Sequence, residues 1–354
     1  SVVASERLSP GRVRQTLSHP DRRGNPILRT LDVREAADTG GLACETRIVD
    51  DSALDASFWK NYVERRVLRA VPGGTALTVE QTDRYRGVAF LFFRYIQMRR
   101  EMKALDQWLA TGKGEMRGIL ESPWTQVVFA VLSTVMLWPF FGLHKTGLQL
   151  SALLTVVIVL HELGHMAAYR AFGHQRVRMI FLPLLGGIAV GGRPYNSHFE
   201  VAVCALMGAG MSAFLVPPLV VLHDGGSVTG AGLLVFLLIV GAFNLLNLLP
   251  MHRFDGGQVL RQVFTSRASL LAASFLVTLS ILWVGWRIGL PAQMLISGLA
   301  VFTVLSLLGA GGVKPRKALD PITPPQRLLA GFGLYAVIVL HGYAIVYACD
   351  RLLG

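Results

Sequence analysis

Cysteine is scarce in this chain: Cys44, Cys204 and Cys349 are the three among 354 residues. They are scattered, which excludes a disulfide framework and leaves no thiolate pattern for a structural zinc site. Charge is scarce too. Asp, Glu, Lys and Arg make up 16% of the residues, against roughly 25% in soluble domains. Acidic residues nearly vanish beyond residue 123, where only Glu162, Glu200, Asp224, Asp255, Asp320 and Asp350 remain. With 52% hydrophobic residues and a mean hydropathy of +0.49, the chain is no ordinary soluble domain. No signal peptide precedes the first apolar run, so either that run inserts the chain or the start has been trimmed.

What is present divides in two. Residues 1–123 hold 20 Lys/Arg and 16 Asp/Glu, and residues 124–354 hold 14 and 6. The first stretch is expected to form a cytoplasmic or membrane-surface region of mixed structure. The second, residues 124–354, is expected to be a transmembrane domain. A helix crosses a bilayer with about 20 apolar residues. On that ruler, spans are expected near 124–143, 147–172, 201–222, 230–249, 270–284, 291–308 and 328–349, the fifth being short. The fold class is therefore an all-α polytopic membrane protein with about six or seven transmembrane helices.

Orientation follows from the positive-inside rule. The loops 173–200, 251–269 and 311–327 carry Arg176, Arg178, Arg193, Arg253, Arg261, Arg267, Lys314, Arg316, Lys317 and Arg327. The other side shows Lys145, Arg287 and Arg351. Arg94, Arg99, Arg100, Lys103, Lys113 and Arg117 precede the first span, which places the N-terminus in the cytoplasm. The formal charge of +12 then answers to topology and to anionic lipid at the cytoplasmic face, and nucleic acid is not an expected partner. A bacterial inner membrane is the expected location. Within the first region, Pro10, Gly11, Pro20, Gly24 and Pro26 among arginines suggest a loose, extended start. Val88–Met98 reads either as an interfacial helix or as a core helix of a small domain.

In the middle of the second apolar run stands His161-Glu162-Leu163-Gly164-His165. Residues four apart share one helix face, so both imidazoles can reach one ion. An HExxH sequence is the zinc-binding and general-base signature of metalloproteases. Such groups at membrane depth are functional by default. Glu162, rotated off the metal axis, is suited to take a proton from the attacking water and return it to the leaving amine. Gly164 leaves room for another helix or the substrate. Catalytic zinc needs a third protein ligand. The choices are Glu200 and Asp255, the latter in Asn247-Leu-Leu-Pro250-Met-His252-Arg-Phe-Asp255-Gly256-Gly257. Topology brings Asp255 to the depth of the histidines, although an aspartate before two glycines also reads as a turn residue. His252, beside Arg253, reads as a solvated loop histidine. Val157–His161 recurs as Val337–His341, and the copy, without glutamate or second histidine, is assigned no metal role.

HExxH in one membrane helix, followed by NxxP(x4)DG after another, resembles the site-2 protease family of intramembrane zinc metalloproteases (peptidase family M50). The resemblance covers about residues 124–265. It implies one Zn2+ per chain held by His161, His165 and Asp255, with Glu162 as base and Asn247 positioning the scissile peptide. Two departures bear on substrate geometry. His252, Arg253 and Phe254 stand where members often carry a proline and a leucine, and Met207–Ser212 stands where they often show Gly-Pro-x-x-Asn.

Residues 178–194 are too interrupted for a span. Two apolar segments around Gly186 and Gly187 point to a membrane-dipping β-hairpin whose unpaired edge could take an extended substrate as an added strand. The resemblance implies the same. The expected function is an intramembrane zinc endopeptidase that cuts within or near a transmembrane segment of a membrane-protein substrate, as in regulated intramembrane proteolysis, with its active site toward the cytoplasm. The alternatives are a prenyl-peptide-type membrane metalloprotease using Glu200 as third ligand, and a non-proteolytic metal-binding transporter or receptor. Oligomeric state and substrate identity are not legible.

Overall fold

The computed structural model describes residues 2–20, 25–36, 41–84, 88–112, 122–174, 177–182, 186–191, 195–226, 230–252, 254–307 and 318–353. Arg176, Arg193, Arg253, Lys314, Arg316 and Lys317, and Lys113 and Arg117 before the first span, lie outside them. The chain is mostly helical with a β region. It forms two compact units, residues 1–118 with 311–318, and residues 119–310 with 319–354.

The first unit is built on an antiparallel meander. Strands β1 (Val2–Ser9), β2 (Arg12–Pro20), β3 (Pro26–Ala36), β4 (Gly41–Asp51), β5 (Val63–Val71) and β6 (Gly74–Thr82) pair in chain order. Over residues 2–20 the chain is thus extended but not loose, while Gly24 lies outside the described residues. Pro10-Gly11 forms the turn between β1 and β2, with Gly11 at φ +75°, and the arginines on either side join a hydrogen-bonded ladder. A short helix α1 (Ala56–Trp59) delivers Trp59 to a small core with Leu17, Ile27, Leu31, Tyr62 and Val67. The Arg29 guanidinium lies 4.5 Å over the Trp59 ring and bonds Asp51 at 3.0 Å. Tyr62 donates to Glu64 at 2.9 Å; burial and the Glu64 charge hold its phenol well above the ordinary range, so it stays a donor. A 24-residue helix α2 (Val88–Thr111) follows.

The second unit holds the apolar helices. Helix α3 (Pro123–Leu137) runs into a 3₁₀ turn at Trp138–Phe141, and α4 (Lys145–Ala171) carries the HExxH residues. The hairpin β7 (Arg178–Leu182) and β8 (Gly186–Val190) follows. Then come α5 (His198–Ala213), α6 (Val216–Asp224), α7 (Ala231–Asn247), α8 (Asp255–Val263), α9 (Arg267–Arg287), α10 (Ala292–Leu307) and α11 (Pro324–Leu353). Among the described residues five helices are long and apolar enough to cross a membrane: Trp124–Phe141, Lys145–Ala171, His198–Asp224, Arg267–Arg287 and Pro324–Leu353. On that ground the chain reads as an integral membrane protein. Ala231–Asn247 and Ala292–Val301 are shorter apolar helices.

The fourth and sixth expected spans fall on those shorter helices, which leaves five of the expected six or seven among the described residues, and two others differ in detail. The fifth is a full 21 residues, because the helix continues past its apolar centre to a Ser266 cap at one end and to Gly289, at φ +82°, beyond the other. The third is broken between α5 and α6, where Pro217 and Pro218 sit in the first turn of α6 and cannot continue the α5 hydrogen-bond ladder.

Helix α5 is the hub. Its small residues Ala202, Ala205, Ala209 and Ala213 are buried, which lets neighbouring backbones approach closely. They pack with Leu245, Leu260, Leu334 and Val337 of the surrounding helices. The closest approach is to α4: a Cβ on Gly164 would collide with the Met207 carbonyl. Gly164 therefore serves helix packing.

Candidate metal centre

Helix α4 starts at His144, whose ring accepts from the Gly147 N–H at 3.1 Å, and stops before Gly173 at φ +80°. Between those caps the 3.6-residue repeat turns His161 and His165 to one face. Asp255 opens α8, where its carboxylate lies at the positive end of the helix dipole. The connection from α7 is compressed against α8. A Cβ on Gly256 would collide with the Leu248 carbonyl, and one on Gly257 with the Met251 carbonyl. The Asp-Gly-Gly run is thus the foot of a helix packed under its own connection.

These elements bring three donor atoms together. His161 Nε2 and His165 Nε2 lie 3.1 Å apart, and Asp255 Oδ2 lies 3.0 and 3.3 Å from them. Among the described residues this is the one group of three metal-ligating side chains that converges. The back of each ring is fixed. His161 Nδ1 meets Asn244 Oδ1 at 2.8 Å, and the Asn244 amide nitrogen donates to the Val240 carbonyl at 2.8 Å. That second bond leaves the amide oxygen facing the ring. His165 Nδ1 meets the Cys204 carbonyl at 2.6 Å. Both partners can only accept, so in the neutral rings both Nδ1 atoms carry the proton and both Nε2 atoms present lone pairs.

Two lone pairs and a carboxylate oxygen, all within about 3 Å and mostly out of water, repel one another unless a cation lies between them. Asp255 Oδ2 is buried with no hydrogen-bond partner. Zinc bonds of about 2.0–2.2 Å in a tetrahedron set ligand atoms roughly 3.3 Å apart, close to the spacing found. The donor set and its dimensions fit zinc.

Glu162 is buried beside this trio, with Oε2 unpaired. Its carboxylate accepts from the backbone of Ala189 on β8. Gly187, in the same strand, lies so close that a Cβ there would collide with the Glu162 side chain. The hairpin is pinned on its other side by the Phe181 N–H, which donates to Gln126 Oε1 of α3 at 2.6 Å. Gly186, at φ +97°, opens β8 beside Ile158; residues 183–185 and Pro194 lie outside the described residues. Asn247 bonds back to the Phe243 carbonyl of its own helix at 3.0 Å.

Glu200 is committed elsewhere. Its two oxygens meet His174 Nε2 and the Asn196 N–H, both at 2.6 Å, and it is 1% exposed. His252 is exposed, and His341 bonds the Ala209 carbonyl at 2.9 Å.

Asn244, Cys204 through its carbonyl, and Gly208 escape a sequence reading. A Cβ on Gly208 would collide with both imidazoles, so α5 must offer hydrogen alone at that point. A buried amide in an apolar helix was the available signal for Asn244; Gly208 gave none. Asn244→Ala is expected to weaken zinc binding about 10- to 100-fold, the usual cost of losing such an orienting partner. Competition with a chelator of known affinity measures it, and an unchanged affinity would remove Asn244 from the site.

The chain is similar to a zinc metalloprotease of Methanocaldococcus jannaschii, with 27% identity over 126 residues, 34% of this chain and 36% of that protein. No family model matches the chain, and no solved structure matches it. The likeness to a zinc metalloprotease thus extends over about a third of the length of each protein.

Proposed function

We propose that this chain is an intramembrane zinc endopeptidase of the site-2 protease type, hydrolysing a peptide bond within or near a transmembrane segment of a membrane protein. The convergence of His161 Nε2, His165 Nε2 and Asp255 Oδ2, with both Nδ1 atoms tied back, carries this reading. The apolar helices around it and the likeness to a zinc metalloprotease support it. Zinc bound by the trio would act as a Lewis acid on the scissile carbonyl and lower the pKa of water.

The chain's own residues do the rest. Glu162 takes the proton of the attacking water on its free oxygen and delivers it to the departing amine. The edge of β8 away from β7, where Glu162 holds the Ala189 N–H, takes an unwound substrate segment as an added strand, in reach of Glu162 because Gly187 has no side chain. Asn247, on the helix that orients His161, positions the scissile peptide. Residues 124–354 form the protease domain and 1–123 a cytoplasmic region, the active site facing the cytoplasm of a bacterial inner membrane whose anionic lipid balances the basic loops. Release of a fragment by regulated intramembrane proteolysis is the cellular outcome.

The test is a reporter with one apolar span, reconstituted with the protein in vesicles, beside a soluble peptide of the same sequence. Chelator-sensitive cleavage inside the span is expected. Cleavage of the soluble peptide alone would refute the intramembrane assignment.

A further inference from the structure

Helix α11 carries the second copy of the Val-Ile-Val-Leu-His run, and its histidine is not one of the converging donors. His341 is 0% exposed, in the middle of a 30-residue apolar helix. An imidazole at membrane depth is costly, which makes it functional by default. Its Nε2 lies 2.9 Å from the Ala209 carbonyl of α5, which can only accept, so Nε2 carries the proton and donates. Its Nδ1 is buried without a hydrogen-bond partner. Packing alone would be served by a leucine, which has no nitrogen to desolvate. What the imidazole adds is one N–H aimed at one carbonyl.

That carbonyl stands close behind the metal centre. Ala209 follows Gly208, whose missing side chain makes room for both rings of the trio. One turn earlier on the same helix, the Cys204 carbonyl holds His165 Nδ1. The backbone of His341 meets the other orienting helix. A Cβ on Gly241 of α7 would lie 2.8 Å from the His341 carbonyl, and Gly241 stands one turn before Asn244, which holds His161 Nδ1. Residue 341 thus touches both helices that fix the metal-binding rings, α5 through its side chain and α7 through its backbone. Alanine and glycine contacts let α5 come close to its neighbours, and a directed interhelical hydrogen bond adds a fixed register along the axis.

We infer that His341 is a positioning residue of the metal centre: its N–H holds α5 at the height where Gly208 and the Cys204 carbonyl meet the rings, on an α11 backbone that also seats α7 behind His161. The inference rests on the trio binding a metal. His341 acts through ligand geometry and touches neither ion nor substrate.

The test is the visible spectrum and affinity of Co2+ bound to the full chain in detergent. Absorption by tetrahedral Co2+ responds to ligand geometry and needs no substrate. His341→Met and His341→Gln form the deciding pair. They are close in size, and the glutamine amide offers the Ala209 carbonyl a donor where methionine offers none. His341→Met is expected to shift the Co2+ bands and to weaken binding about 3- to 18-fold, the range that one interhelical hydrogen bond in a membrane is worth. His341→Gln is expected to restore both. Leu334→Ala, which opens a cavity in the core that α11 shares with α5, should lower Tm and leave the spectrum alone. A wild-type spectrum and affinity in His341→Met would overturn the inference while leaving the metal site standing. Equal shifts in the Met and Gln variants, or a shift in Leu334→Ala, would reduce His341 to packing and overturn it too. If His341→Met does not fold, His341→Leu takes its place. Failure of both beside a folded His341→Gln would make the N–H a folding element and end the positioning role. No Co2+ bound by the unsubstituted chain would overturn the metal site itself, and this inference with it.

Discussion

Glu162→Gln is expected to keep its zinc and lose its peptidase activity. The side chain is not one of the three converging donors, and glutamine preserves its shape against Gly187 and its acceptor toward Ala189. What it removes is the carboxylate oxygen that is buried without a partner, a group beside the trio able to take a proton and give it back. Positioned acid–base groups contribute about 10²–10⁴-fold to rate, so turnover should fall by about that factor, with KM changed far less. Metal content by atomic spectroscopy and cleavage of the span reporter, on the same preparation, decide it. Retained cleavage would point to a metal-binding protein that does not use Glu162 as a base.

Asp255→Ala should do the opposite and empty the site. With two imidazoles left, the ion loses its only anionic protein ligand, and zinc should drop from about one per chain toward none, with activity following. Asp255→Asn serves as a control, keeping the volume at the foot of α8 while removing the charge; it too should lose most of the metal. Glu200→Ala should leave zinc untouched, since both Glu200 oxygens are occupied by His174 and Asn196. Zinc unchanged in Asp255→Ala but lost in Glu200→Ala would transfer the third position to Glu200 and remove the main support for the site-2 protease reading.

Much of the site was legible because it is local. His161 and His165 follow from the HExxH motif and helix periodicity, whereas the residues alone leave Asp255 beside Glu200 as third donor and the resemblance singles it out. What holds them is not local. Asn244 reaches His161 across 83 residues, and the Cys204 carbonyl reaches His165 across 39. Backbone atoms leave no trace in a residue pattern, and a glycine such as Gly208 matters only through the side chain it lacks. The sequence pattern singled out Asn247, whereas Asn244, one turn earlier, orients the ring. In the first unit, β1 is exposed along its whole length, so it shows no burial alternation to betray a strand. The arginines between prolines and glycines mimic a loose segment until pairing is seen. Span edges blurred for a related reason: helices end at caps such as Ser266, beyond the point where hydropathy fades.

The trio draws on two stretches about 90 residues apart in sequence, one in the middle of a long helix and one at the first residue of a nine-residue helix. An ion there works as a rivet between a rigid beam and a small lever. With free metal at a thousand times its Kd, binding adds about 4.1 kcal/mol against any opening that breaks the site. Without it, three mutually repelling acceptors would meet at the foot of α8 and work against the packing of Val259, Leu260 and Val263 into the core. A bound ion would therefore lengthen the time that lever stays closed, and metal supply would tune the hold between the two helices.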